Sequence, residues 1–104
     1  MSNELKHPLR VTSMTLPAGE RRPVSHGAAS VLHIPVQGAG KAVPADALRI
    51  GLGDHGQEFP VTEGFFLSTI DEWNVTVFRN ESGASITFDY VLSSDPSLLI
   101  LMGV

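Results

Sequence analysis

The chain predicts an all-β fold, an antiparallel β-sandwich of jelly-roll type, from three observations. Short runs of alternating polarity recur along most of its length. Ten glycines and seven prolines in 104 residues punctuate those runs at turn-sized intervals. Finally, hardly a window offers the i, i+3, i+4, i+7 apolar spacing of a helix free of glycine and proline, and Pro44-Ala-Asp-Ala-Leu-Arg49 is good for a single helical turn at most.

Taken in order, residues 1–8 form a polar N-terminal arm ending in His7-Pro8, with too little apolar surface to order itself. Residues 9–104 make one domain. Residues 9–16 read as a strand closed by a Pro17-Ala-Gly19 turn, and residues 20–25 as a short polar strand whose Pro23 suits a sheet edge, because proline cannot donate to a ladder. Residues 29–36 form a more apolar strand carrying Pro35, and residues 37–44 a loop by composition. Residues 48–52 and 58–61 form a hairpin across a glycine-rich turn, and residues 65–70 another strand. The clearest signal follows: residues 73–79 and 84–92 alternate in polarity around Asn80-Glu-Ser-Gly83 and read as a β-hairpin, with Gly83 at a positive-φ turn position. Trp73, Phe78, Phe88 and Tyr90 on these strands are expected in the core. Residues 97–102 complete about nine candidate strands, the number a sandwich or small barrel uses.

Composition bounds the chemistry. A chain of this length suits one modest core, with a radius of gyration of roughly 13 Å. With no cysteine there is neither a disulfide nor a thiolate zinc site. The N-terminus lacks the apolar stretch of a signal peptide, and the apolar run at the C-terminus is too short to span a bilayer, so the expectation is a protein made and kept in a cytoplasm, away from membranes. The net charge of −4 is sorted: residues 1–49 hold six bases against three acids, whereas residues 50–104 hold Arg79 against eight acids. Either the halves interleave and the sorting disappears, the favoured reading, or two poles survive and identical copies attract head to tail. Nucleic acid is not an expected partner, since Arg21 and Arg22 are the one adjacent pair of bases and no aromatics interleave with them.

No reactive constellation emerges. Gly51-Leu-Gly-Asp-His-Gly56 matches the dinucleotide-binding pattern, but Gln57-Glu-Phe-Pro60 follows where a helix is required, so it reads as a hairpin turn. His7, His26, His33 and His55 are scattered, without the His-x-His spacing of a cupin metal site; Asp54, His55 and Glu58 read as a solvated hairpin tip. Ser82-Gly83 is an incomplete nucleophile elbow, Asp71 and Glu72 fall on opposite faces of a strand, and Asn74-Val-Thr76 and Asn80-Glu-Ser82 are formal glycosylation acceptors without consequence in a cytoplasm. The expectation is therefore a non-enzymatic protein with no catalytic, cofactor-binding or metal residues.

Three stretches carry a resemblance: Val11-Thr-Ser-Met-Thr-Leu-Pro-Ala-Gly-Glu-Arg-Arg-Pro-Val24, Phe59-Pro-Val-Thr-Glu-Gly-Phe65 and Val75-Thr-Val-Phe-Arg-Asn-Glu-Ser-Gly-Ala-Ser-Ile-Thr87. In them the chain resembles small β-sandwich structural proteins from the virions of tailed bacteriophages. The resemblance implies a capsid decoration or cement protein that stabilises the head through contacts with the major capsid protein; the alternatives are a tail or connector component and a small cupin-like or carbohydrate-binding domain. It implies location in the virion, assembled in the bacterial cytoplasm. The two ends of the chain suggest self-association into a homo-oligomer such as a trimer. Leu98, Leu99, Ile100, Leu101 and Met102 are continuously apolar, and a strand apolar on both faces must be covered on both. Together with His7 and Pro8 of the arm, and with Arg21 and Arg22, they are the expected interface residues.

Overall fold

Among the described residues there are six strands: β1 (Val11–Leu16), β2 (Arg21–His33), β3 (Leu48–Leu52), β4 (Glu58–Val61), β5 (Phe66–Asn80) and β6 (Ile86–Ser93). The computed structural model describes residues 11–53 and 56–94, so the N-terminal arm and the expected strand at 97–102 lie outside the described residues. All pairings are antiparallel, in the order β1-β6-β2-β5-β3-β4, and no helix occurs among the described residues. The all-β expectation holds. The described strands make one six-stranded antiparallel sheet curled into a half-barrel.

The curl comes from two long strands. The separate strands expected at 20–25 and 29–36 are one strand of 13 residues, and those at 65–70 and 73–79 are one of 15. Their mutual register slips between Ser25 and Ala29 and again between Ala29 and Val31. Such irregularities bend a strand and raise its twist, so polarity alternation breaks at the bends and each strand reads as two. Pro23 still finds an edge, because the 21–25 half of β2 pairs with β5 while β6 joins β2 only at residues 31–33.

The expected hairpin of residues 73–92 is not formed. β5 pairs with β2 and β3, and β6 with β1 and the end of β2. The cause is the side chain of Asn80, fully buried at the end of β5. Its Nδ2 donates to the carbonyls of Leu16 (2.9 Å), Pro17 (3.2 Å) and Ala84 (2.8 Å), and its Oδ1 accepts from the Ser82 N–H and hydroxyl. The segment is thus a corner tied to the end of β1, which sends the chain across to pair with β1. Gly83 does not take a positive φ there; Gly19, Gly40, Gly53 and Gly64 do. The hairpin of β3 and β4 forms as expected.

The concave face holds the core. Phe78, Phe88 and Tyr90 stack with ring centroids 4.8–6.1 Å apart, among Leu16, Leu32, Ile34, Leu48, Ile50 and Trp73. The opposite face carries a smaller cluster, Val31 and Val91, with Phe66 packed against them.

Candidate functional site

Strand alternation separates the two adjacent arginines. Arg22 shares a rung with Phe78, pairs with Glu20 (2.6 Å) and donates to the Thr15 carbonyl (3.2 Å) at the end of β1. Arg21 lies on the other face, on one rung with Arg79 of β5 and Arg49 of β3. Three like charges on one rung repel. Glu58 of β4 reconciles them: its carboxylate grips Arg79 at 2.7 and 3.1 Å and reaches Arg21 at 3.6 Å, while Arg49 donates to its main-chain carbonyl at 2.9 Å. To get there Glu58 lies across Gly51, where an added Cβ would meet its Cγ at 3.3 Å. The Arg79 hydrogen bond, helped by the positive charge of Arg79, Arg21 and Arg49, holds the Glu58 carboxyl below its ordinary range. Of the expected interface residues, then, Arg21 and Arg22 serve different faces, and His7, Pro8, Leu98, Leu99, Ile100, Leu101 and Met102 lie outside the described residues.

The charge halves interleave. Arg21 of the first half meets Glu58 of the second, and Lys41 meets Asp89 at 3.0 Å. The Asp89 carboxyl, bonded by Ser13 and Lys41, is held below its usual range. Beside Lys41, an open cleft of about 440 Å³ runs along Ser85 and Thr87.

Two side chains not singled out from the sequence organise this region. Where β6 lacks a strand neighbour, the Gln37 amide stands in for one, accepting from the Asp89 N–H (2.6 Å) and donating to its carbonyl (3.1 Å), while the Ala42 N–H donates to the Thr87 carbonyl. Glu63, between β4 and β5, accepts the N–H groups of Gln37 (2.9 Å) and Val43 (3.2 Å), which lowers its pKa. No local pattern announces either role, because the partners are main-chain groups of distant segments.

The two described histidines hydrogen-bond within the chain. His26 Nδ1 lies 2.6 Å from the Gly27 carbonyl and must donate to it, so in the neutral ring Nε2 accepts from the Thr76 hydroxyl (2.8 Å). Buried Thr76 in turn accepts from the indole N–H of Trp73 at 2.8 Å. His33 donates to the Phe65 carbonyl at 3.0 Å. Among the described residues no three histidine or acidic side chains converge as a metal site, and Asp54 and His55 lie outside them. Asp71 and Glu72 stand exposed where β5 bulges, next to a completely exposed Ile70.

The sheet's outer strands differ in protection. β4 is four residues long and carries Pro60, both of which blunt an edge. β1, Val-Thr-Ser-Met-Thr-Leu, has six residues without proline or charge. Compared with protein-family models and with curated proteins, the chain matches none.

Proposed function

We propose that this protein is a non-enzymatic structural protein of a bacteriophage virion, acting as a capsid decoration or cement protein. In this reading its curled sheet is a jelly-roll-like sandwich open along one seam, and it binds the major capsid protein and further copies of itself. The single observation that carries the reading is the position of β1 at one end of the sheet: among the described residues this strand, without charge or proline, has a strand partner on one side alone, and its outer edge offers a template for another strand. The fully exposed Ile70 adds an apolar knob of the kind that anchors a protein contact. The resemblance of residues 11–24, 59–65 and 75–87 to virion proteins supplies the setting. Mechanically, each contact buries a small area, and symmetry multiplies many weak contacts into a firm attachment.

Quantitative mass spectrometry of purified particles tests this. A copy number in proportion to the major capsid protein is expected; a single ring's worth of copies would move the protein to the tail or connector, and absence from particles overturns the reading.

A further inference from the structure

Between the rung of Ala29 with Trp73 and the rung of Val31 with Ser68, β2 spends one residue, Ser30, and β5 spends four, residues 69–72. The surplus is pushed out of the ladder as a bulge. Thr69 anchors it from within, its hydroxyl donating to the Asp71 carbonyl at 2.5 Å. Ile70, Asp71 and Glu72 are left exposed, Ile70 completely, and neither carboxylate has an ion-pair partner among the described residues. The bulge therefore presents an apolar tip beside two uncompensated negative charges.

The opposite imbalance lies toward the far end of β5. One rung crosses four strands as Pro60, Arg49, Arg79 and Arg21. Glu58 takes up Arg79 and reaches Arg21, and exposed Glu81 adds a more distant negative charge near Arg79. Arg49 donates only to the main-chain carbonyl of Glu58, so among the described residues no carboxylate pairs with its charge. Pro60 beside it is apolar and exposed. Glu72 and Arg79 stand seven residues apart on β5, about 23 Å at ~3.3 Å per residue, well over the screening length of roughly 8–10 Å in physiological salt. Within one copy the tip and the rung cannot satisfy each other.

We propose that the bulge tip of one copy docks on the arginine rung of a second copy, with Ile70 against Pro60 and the Asp71 and Glu72 carboxylates toward the Arg49 and Arg79 guanidiniums. The charges are complementary, and a guanidinium offers a carboxylate a planar fork of donors. Because two different patches meet, the contact runs head to tail, and it closes as a ring or continues as a filament. The contact rests on the assembly reading above and gives it a surface away from β1, which lies at the other end of the strand order from β3 and β4.

Sedimentation of the full-length protein tests the contact. Association should weaken about tenfold or more as sodium chloride rises from about 0.05 M to about 0.5 M. The double variant Asp71→Lys with Glu72→Lys should lose association about as far, and so should Arg49→Glu, or Arg49→Gln in its place if the glutamate disturbs the parent's circular dichroism. Mixing is the decisive step. The tip variant keeps its rung and the Arg49 variant keeps its tip, so two preparations that fail alone should pair one to one when combined. No pairing in the mixture, or parent association that ignores both salt and the charge changes, overturns the contact and leaves the assembly reading standing. A parent that stays monomeric overturns the contact and self-association alike, and the copy number on particles then judges the virion reading by itself.

Discussion

Replacing Asn80 with alanine should be among the most damaging single changes outside the aromatic core. The side chain is wholly buried and makes five hydrogen bonds that hold the end of β1 and the corner at 82–84 to the end of β5. Alanine leaves the carbonyl of fully buried Leu16 without this donor, whereas the groups at half-buried Ser82 and exposed Ala84 can recover water. A buried group left unpaired costs about 1–3 kcal/mol and a hydrogen bond exchanged for water about 1 kcal/mol, so a loss of roughly 3 kcal/mol is expected. At about 4–8 °C per kcal/mol for a domain of this size, the melting temperature should fall by roughly 12–24 °C. Asn80→Asp removes both N–H donors and sets a carboxylate against three carbonyls, so at neutral pH it should be worse than alanine and should recover partly in mild acid as the carboxyl protonates. Urea unfolding followed by circular dichroism gives the numbers. An alanine variant within about 0.5 kcal/mol of the parent, the range of an ordinary surface change, would refute the claim that this side chain builds the corner.

Other positions give contrasting expectations. Gly56→Ala should lose about 1–3 kcal/mol, because its Cβ would stand 2.2 Å from the Leu52 carbonyl oxygen and the β3–β4 hairpin must shift; Gly83→Val, with open space and no positive φ, should stay within about 0.5 kcal/mol of the parent. Thr76→Val should cost about 1–3 kcal/mol by leaving the Trp73 indole N–H unpaired in the core, and should change the emission of that lone tryptophan. Glu58, Glu63 and Asp89 bind their protons more weakly folded than unfolded, so their contribution is full above the ordinary carboxylate values of 4.5, 4.5 and 3.8 and is lost as pH falls through the lower folded values. Stability should therefore decline on acidification from about pH 5 downward, and Glu63→Gln should flatten that decline; equal acid sensitivity in parent and variant, by thermal unfolding across pH, counts against the Glu63 clamp.

The strands were readable from sequence, but apart from the β3–β4 hairpin their partners were not. Alternating polarity marks residues 73–79 and 84–92 as extended whatever they pair with, and a short polar link suggests a hairpin by default. What redirects the chain is the buried amide of Asn80 reaching residues 16 and 17, a contact across more than sixty positions that no local pattern encodes. The bends in β2 and β5 misled for a related reason, since a register slip resets the period of two and makes one strand resemble two. Core membership was legible because burial follows from alternation, and Trp73, Phe78, Phe88 and Tyr90 all lie in the main cluster. The surface was harder. Arg21 and Arg22 are adjacent in the chain and opposite in the sheet, while Arg21, Arg49 and Arg79 are distant in the chain and share a rung.

Sedimentation of the full 104-residue protein over a wide concentration range tests the central claim of assembly most directly. If the proposed assembly role holds, a chain with β1 at the end of its described sheet and an apolar run at residues 98–102 is expected to populate a discrete symmetric oligomer well above the 11.1 kDa chain mass. A single 11.1 kDa species persisting to the highest concentration would contradict the account.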